Sequence, residues 1–430
     1  MRNNSHSVAE PGPLWQALAP DWELVHDLMG GTRQMRAAGL RWLPKENSES
    51  WDAWRTRLNR SVLFNGFGRT IAALAGRPFA ENVAVKNAHP SIQAVAANMD
   101  GRGMSLTSFA GNLLRLMLRD GMAYILVDAK PEGGVPYCVL LEAAQMIGLR
   151  HDATGTGIIQ ARIRERVIEK KSQFSDDWVE QIRVLEPSRW TLYKQDHGRF
   201  GGWKRKAEGA MGIAEVPLVE CAVYADYGKS NSAAPPLLDL AWLNIAHWQS
   251  SSDQRHILHI ARVPILFARG MDTSEGRLDI GPNRLIIADD ASADMKFVEH
   301  SGAAIAAGRQ DLLDLEEKMA VMELDLLARR PGNSTATARA IDRAQSNAFL
   351  HMLVDDVRDH LNHTLRLVAR WLDLPETAAG EVVLPKHFPI DLATSDSANQ
   401  LLETHSTGNM SAEEFLAAIE RKGLMQPAHS

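Results

Sequence analysis

The chain of 430 residues predicts an α+β fold, with helices and antiparallel strands in separate stretches. Apolar residues recur every three or four positions over long stretches near both ends. Between 157 and 193 they alternate with polar residues instead, the period of a half-buried strand. A third stretch, 235–371, reads as helix, short strands, helix, break and long helix.

Residues 1–20 are polar and Pro-rich and read as a disordered arm. From 21 to 41, Leu24, Leu28, Met29 and Met35 keep helical spacing around the Gly30-Gly31 interruption. Trp51, Trp54, Leu58, Val62 and Ile71 extend a second helical stretch over 48–76. The Trp51 and Trp54 stripe has the spacing of a core face rather than of a ligand box. After His89-Pro90 the chain is again helical over 91–119, with a start signal at Ser105 and a stop at Gly121. Strands follow at 123–127 and, beyond the Gly133-Gly134 turn, at 137–141. An antiparallel meander then takes in Ile159, Ala161, Ile163, Val179, Ile182, Val184 and Trp190. Lys204-Arg205-Lys206 reads as a solvated loop, and 216–224 as one more strand.

The pair Pro235-Pro236, after a Gly, Ser and Asn run, is the clearest boundary. A helix over 237–261 carries Leu237, Leu238, Ala241, Ile245, Trp248, Leu258 and Ala261, and its polar middle, 249–254, suits partly wet neighbours. Pro264 ends it, and 265–267, 284–287 and 295–298 are short strand candidates. Three strands of that size bury little core alone, so the module depends on neighbours. A returning helix over 304–330 shows Leu312, Leu315, Met319, Met322 and Leu326. After Pro331-Gly332, Asn333-Ser334-Thr335 supplies an N-cap for a helix of about 37 residues, ~55 Å long at ~1.5 Å per residue. That length suits a large assembly. Two short helices close the chain, the second opened by the capping box Ser411-Ala412-Glu413-Glu414.

The composition, 45% hydrophobic and 23% charged, is that of an ordinary folded protein. A net charge of −6 and a pI of about 6.2 lack the basic footprint of a phosphate-clamping nucleic-acid binder. Cys138 and Cys221 sit in apolar strand-like runs and read as buried free thiols of a reducing compartment. The N-terminus lacks the apolar core of a signal peptide, and no apolar run approaches ~20 residues, so the expected location at synthesis is the cytoplasm.

Catalytic signatures are missing. There is no G-x-x-x-x-G-K-[ST] phosphate cradle, and Gly66-Phe67-Gly68, Gly101-Arg102-Gly103 and Gly155-Thr156-Gly157 lack the third Gly of a dinucleotide fingerprint. His256 with His259, and His360 with His363, lie one helical turn apart but have no identifiable third metal ligand. Asp289, Asp290 and Asp294 fall in a turn between strand candidates, where a solvated loop is the simpler reading than a divalent-cation site. No catalytic residue, cofactor or metal is therefore assigned. From Asp272 to Asp325 carboxylates outnumber cations; Asp289, Asp290, Asp294, Asp311 and Asp314 are the candidates for a wall that repels phosphates.

Several stretches together resemble the tailed-bacteriophage portal proteins, of the divergent group described as a domain of unknown function. They are Asp27-Leu28-Met29-Gly30-Gly31, Leu40-Arg41-Trp42-Leu43-Pro44, Ala73-Leu74-Ala75-Gly76-Arg77-Pro78-Phe79, and Gly103-Met104-Ser105-Leu106 leading to Gly121-Met122-Ala123-Tyr124-Ile125-Leu126-Val127-Asp128. The fullest is Pro235-Pro236-Leu237-Leu238-Asp239-Leu240-Ala241-Trp242-Leu243-Asn244-Ile245-Ala246-His247-Trp248-Gln249, running on through Ser251-Ser252-Asp253.

The resemblance implies a wing over 21–234, stem helices over 235–262 and 303–328, and a clip over 263–302. It implies a tunnel-loop region over 329–338, with Arg329, Arg330, Gly332, Asn333, Ser334 and Thr335. A spine helix with the second part of the wing would fill 339–393, and a short crown 394–430. It further implies a ring homo-oligomer of twelve subunits at one capsid vertex of a virion, assembled in the host cytoplasm. Double-stranded DNA would pass through it without sequence specificity during packaging and ejection. Partners would be the large terminase subunit, the major capsid and scaffolding proteins and a head-tail adaptor, with no membrane. The readings from other classes are a metal-dependent nuclease using Asp289, Asp290 and Asp294 or His360 and His363, and a helical scaffold or adaptor without a channel.

Overall fold

The computed structural model describes residues 7–129, 134–155, 157–196, 202–223, 234–261, 265–269, 294–298, 302–327 and 336–384. Along the chain it forms α1 (Pro13–Met29), α2 (Gly31–Ala38), α3 (Trp51–Arg60), α4 (Gly66–Gly76), β1 (Ala84–Lys86), α5 (Pro90–Ala97) and α6 (Leu106–Asp120). Strands β2 (Met122–Asp128), β3 (Tyr137–Glu142), β4 (Met146–His151), β5 (Ile158–Ser172), β6 (Ser175–Glu186), β7 (Arg189–Asp196), β8 (Gly202–Ala210) and β9 (Leu218–Ala222) follow. Then come α7 (Leu238–Ala261), β10 (Ile265–Arg269), β11 (Asp294–Val298), α8 (Gly302–Leu327), α9 (Ala336–Trp371) and β12 (Glu381–Val383). The expected mixture of helices and antiparallel strands is present. The chain divides into two compact units, Met1–Trp22 with Thr70–Pro236 and Leu324–Ser430, and Glu23–Arg69 with Leu237–Glu323.

In the first unit, β3-β2-β9 form one antiparallel sheet and β4-β5-β6-β7-β8 a second. Strand β2 carries no charge from Met122 to Val127 because both its faces are covered, and these six residues are all buried. Helix α6 delivers the chain to it. Ser105 Oγ caps α6 by accepting from the N–H of Ser108, and Gly121 ends it at φ 80°, a left-handed conformation that costs least without a Cβ. Leu353, Val357, Leu361, Leu365 and Val368 make one fully buried face of α9, which packs against α6, β2 and β9. Cys138 and Cys221 are buried free thiols as expected, and burial pushes the Cys138 thiol up to about 12.

The sequence expectations fail at three places in these elements. The arm expected to be disordered through residue 20 is helical from Pro13. Ahead of that helix, Arg162 Nη1 donates to the carbonyls of Val8 (2.9 Å) and Glu10 (2.8 Å), and the N–H of Gly12 donates to Ile147 O (2.7 Å). These bonds satisfy backbone that its composition leaves free. The helix expected over 48–76 is two helices, separated where the Asn65 side chain bonds to Leu28 O and to the N–H of Gly68. In the segment expected to be helical over 91–119, the second helix begins at the start signal read at Ser105, after a turn with Gly101 and Gly103 at positive φ. Lys204, Arg205 and Lys206 belong to edge strand β8 and not to a loop; exposed cations along a free edge oppose pairing with another sheet.

The second unit is built on α7. Leu237, Leu240, Ala241, Ile245 and Trp248 are buried along it. Residues 249–254 were expected among wet neighbours, yet Ser251, Ser252 and Gln254 are buried. Gln249 Nε2 donates to Trp42 O (3.0 Å), Ser252 Oγ bonds Ser61 Oγ (2.8 Å), and Gln254 Nε2 donates to Ile305 O (2.9 Å). A polar helix face can be buried when its groups find partners, and here backbone carbonyls and hydroxyls supply most of them, Gln254 Oε1 alone of this run's buried side-chain atoms remaining unbonded among the described residues. The aromatic stripe is divided: Trp54 is buried and donates to Leu43 O (2.9 Å), whereas Trp51 is half exposed beneath the Lys45 ammonium (5.7 Å).

Candidate functional site

Helices α7 and α8 are antiparallel partners, and their side chains set the register. His247 Nε2 lies 3.1 Å from Glu316 Oε1, Ser250 Oγ donates to Asp311, and Gln254 Nε2 donates to Ile305 O. As the number rises on α7 it falls on α8. The same sense continues into the strands, where β10 and β11 pair from Ile265 with Val298 to Arg269 with Asp294. Two helices and a β ladder thus form one long hairpin. Gly308 leaves room for the Gln254 side chain, whose Oε1 a Cβ there would meet.

The root of this hairpin is held by polar bonds from α7 to the segment 42–67. Asn244 Oδ1 accepts from the N–H of Phe67 (2.9 Å) and its Nδ2 donates to Phe64 O (2.7 Å). Arg57 is buried and bonds Glu49 through Nε and Nη2 (2.9 Å each), Pro44 O through Nη2 (2.8 Å), and Asp253 through Nη1 (3.2 Å). The Arg57 guanidinium holds the Glu49 carboxyl below the usual carboxylate range, while burial lifts that of Asp253 above it. The residues that carry these bonds, Asn244, Gln249 and Ser252, were quoted in sequence only as part of a pattern. Their signal was polar side chains inside a helix otherwise apolar enough to be buried.

On α8 six carboxylates face two cations, Arg309 and Lys318. Asp311 and Asp314 are exposed, the latter accepting from Gln310 Nε2 at 2.7 Å. Asp294 is exposed at the end of β11, opposite Arg269 in register. Asp289 and Asp290, the middle strand candidate over 284–287, Arg329, Arg330, Gly332, Asn333, Ser334, Thr335 and the stretch 394–430 lie outside the described residues. Neither His pair is joined by a third His, Cys, Asp or Glu ligand among the described residues. His360 is buried, with Nε2 3.5 Å from Ala222 O, and His363 is exposed. Among the described residues no helix is long and apolar enough to cross a membrane.

A family model described as "Domain of unknown function (DUF4055)" matches residues 236–372, the hairpin together with α9, which is the stretch that carries the fullest part of the portal resemblance. A search of curated proteins returns no match. Among solved structures, a chain from the neck of an empty gene transfer agent particle, computed with C6 symmetry, is 14% identical, with 93% of this chain and 99% of that chain covered and a TM-score of 0.40. A chain from the virion of a native gene transfer agent particle is also 14% identical, with coverage of 90% and 98% and a TM-score of 0.40. The neck of the native particle, computed with C12 symmetry, gives 14%, 90%, 98% and 0.37.

Proposed function

We propose that this chain is the subunit of a portal: a ring at one capsid vertex of a phage-like particle, through which double-stranded DNA is packaged by a separate motor and later released. The observation that carries the reading is the hairpin of α7, β10, β11 and α8. Its first helix, of 24 residues, is ~36 Å long at ~1.5 Å per residue and has polar staples at its root. It is suited to serve as a stem, with β10 and β11 as the base of a clip. Its second helix, α8, carries six carboxylates against two cations, the sign of charge that repels phosphates, so DNA would slide past the stem without sticking.

In this reading the subunit is structural and uses no cofactor. A terminase supplies ATP hydrolysis, and the clip receives first that motor and then a head-tail adaptor. Capsid and scaffolding proteins surround the ring during assembly in the host. The segment 329–338, with Arg329, Arg330, Gly332, Asn333, Ser334 and Thr335, would line the narrowest part of the channel, and 394–430 would form a short crown. Electron microscopy of the purified full-length chain tests the proposal, with DNA and ATP hydrolysis assayed on the same sample. Open-centred rings, most simply of twelve subunits, without hydrolysis are expected. Compact monomers at every concentration, together with metal-dependent DNA cleavage, would overturn it in favour of a nuclease.

A further inference from the structure

Along one side of the α7–α8 pair run two adjoining recesses, of about 490 and 450 Å³. The first is lined by Leu243, Val321 and Met322 together with Asp314, Glu317 and Lys318, the second by residues that include Ser250, Asp253 and Asp311. Together they make a groove with carboxylates along its length and, at one end, Lys318 and three large apolar side chains. On α8 the groove residues 304, 311 and 318 recur every seven positions, so they share one side of the helix. Arg309, Leu313 and Ala320 lie on the opposite side, about 160–200° around the helix from Asp311, and all three are exposed; Leu313 has 46% of its surface free. Helix α8 therefore carries a groove wall on one flank and, on the other, a ridge of small and apolar residues with one cation.

We propose that the groove is the seat of α8 from a second copy of the chain, with the ridge of one copy in the groove of the next. The inference rests on the ring reading and names the surface that would join its subunits. Rotation about an axis running along the helices keeps every residue at its own height. The incoming Arg309 then arrives level with Asp311 and, from the antiparallel register, close to the height of Asp253. Leu313 and Ala320 fall on the half that begins at Leu315 and ends at Leu243, Val321 and Met322. Arg309 thus meets carboxylates, and Leu313 and Ala320 meet apolar side chains, without a shift along the axis. Because the two flanks differ, the contact is head-to-tail and closes only as a ring. A groove of this kind takes a helix through anchors at i, i+4 and i+11, which 309, 313 and 320 supply.

Two experiments on the full-length chain test this. With Ala304→Cys in the groove and Ala306→Cys on the ridge, mild oxidation should give a ladder of linked chains on a denaturing gel. The chain's own thiols, Cys138 and Cys221, are buried and should not contribute. Arg309→Glu should lower the fraction in rings at least tenfold by mass photometry while leaving the circular dichroism melt unchanged, and adding Asp311→Arg should restore it. Rings that persist with Arg309→Glu and give no ladder would overturn this contact and leave the ring reading standing. A wild-type chain that never forms rings removes both.

Discussion

Arg57 grips Glu49 through two parallel N–H···O bonds, Nε to Oε1 and Nη2 to Oε2, both 2.9 Å, at a place where Arg57 is only 5% exposed. Fork-to-fork pairing of this kind is directional, and removing one partner leaves the other charge buried. Arg57→Met should therefore cost about 3 kcal/mol in urea unfolding, and Arg57→Lys should recover only part of it. The pair also carries a pH dependence. Glu49 has its folded pKa lowered, so its contribution is complete above the ordinary carboxylate value and is lost as pH falls through the lowered folded value. Glu49→Gln should flatten stability against pH below about 4.

Asn244 satisfies a backbone donor and a backbone acceptor at the break between α3 and α4. Asn244→Ala should cost about 2 kcal/mol, because the N–H of Phe67 and the carbonyl of Phe64 lose their partner. Asn244→Asp retains the acceptor and loses the donor, so its cost by the same thermal melt should differ from that of Ala. Equal stability of Asn244→Ala and wild type would show that another group takes over both bonds.

Leu365 is fully buried on the face of α9 that packs in the sheet-bearing unit. Leu365→Ala should destabilise by about 3 kcal/mol, the transfer and cavity terms together. Leu365→Met should cost less than about 1.5 kcal/mol, since the volume is kept. Denaturant midpoints of the two variants give the comparison.

Burial holds the His360 imidazole below its ordinary pKa, with the Ala222 carbonyl acting in the opposite direction. A histidine whose folded pKa is depressed is kept neutral by the fold. Its contribution is complete above the unfolded value of about 6.5 and declines as pH falls from there to the folded value. Stability should drop over that interval, and His360→Gln should show a smaller drop between pH 7 and pH 5 in matched thermal melts. An unchanged slope would place the titration elsewhere.

The carboxylates on exposed positions carry the opposite expectation. Asp294→Ala and Asp314→Ala should each shift stability by less than about 0.5 kcal/mol, as surface substitutions away from buried networks do. A cooperative loss of structure in either variant would show that the position is structural.

Local pattern by itself determined most of the helical framework. The helices expected over 237–261, 304–330 and 335–371 correspond to α7, α8 and α9 within a few residues at each end. Their apolar spacing is strong and their ends are marked by Pro, Gly and cap residues, all of which act within a few positions of chain. Gly121 closed α6 for the same local reason.

What only the tertiary structure decided depends on partners distant in sequence. Within the polar run 249–254, Ser251, Ser252 and Gln254 are buried because the chain around Trp42, Ser61 and Ile305 comes to meet that face, and no local property of the run distinguishes it from a wet helix face. Residues 8–12 are ordered by Arg162 and Ile147, which a reading of composition places nowhere near them. The groove and ridge of α8 needed both periodicity and burial: spacing gives the side of the helix, but the packing of α7 decides which side remains open. Side-chain hydrogen bonds across long loops carry that choice, and their energy exists only once the chain has folded.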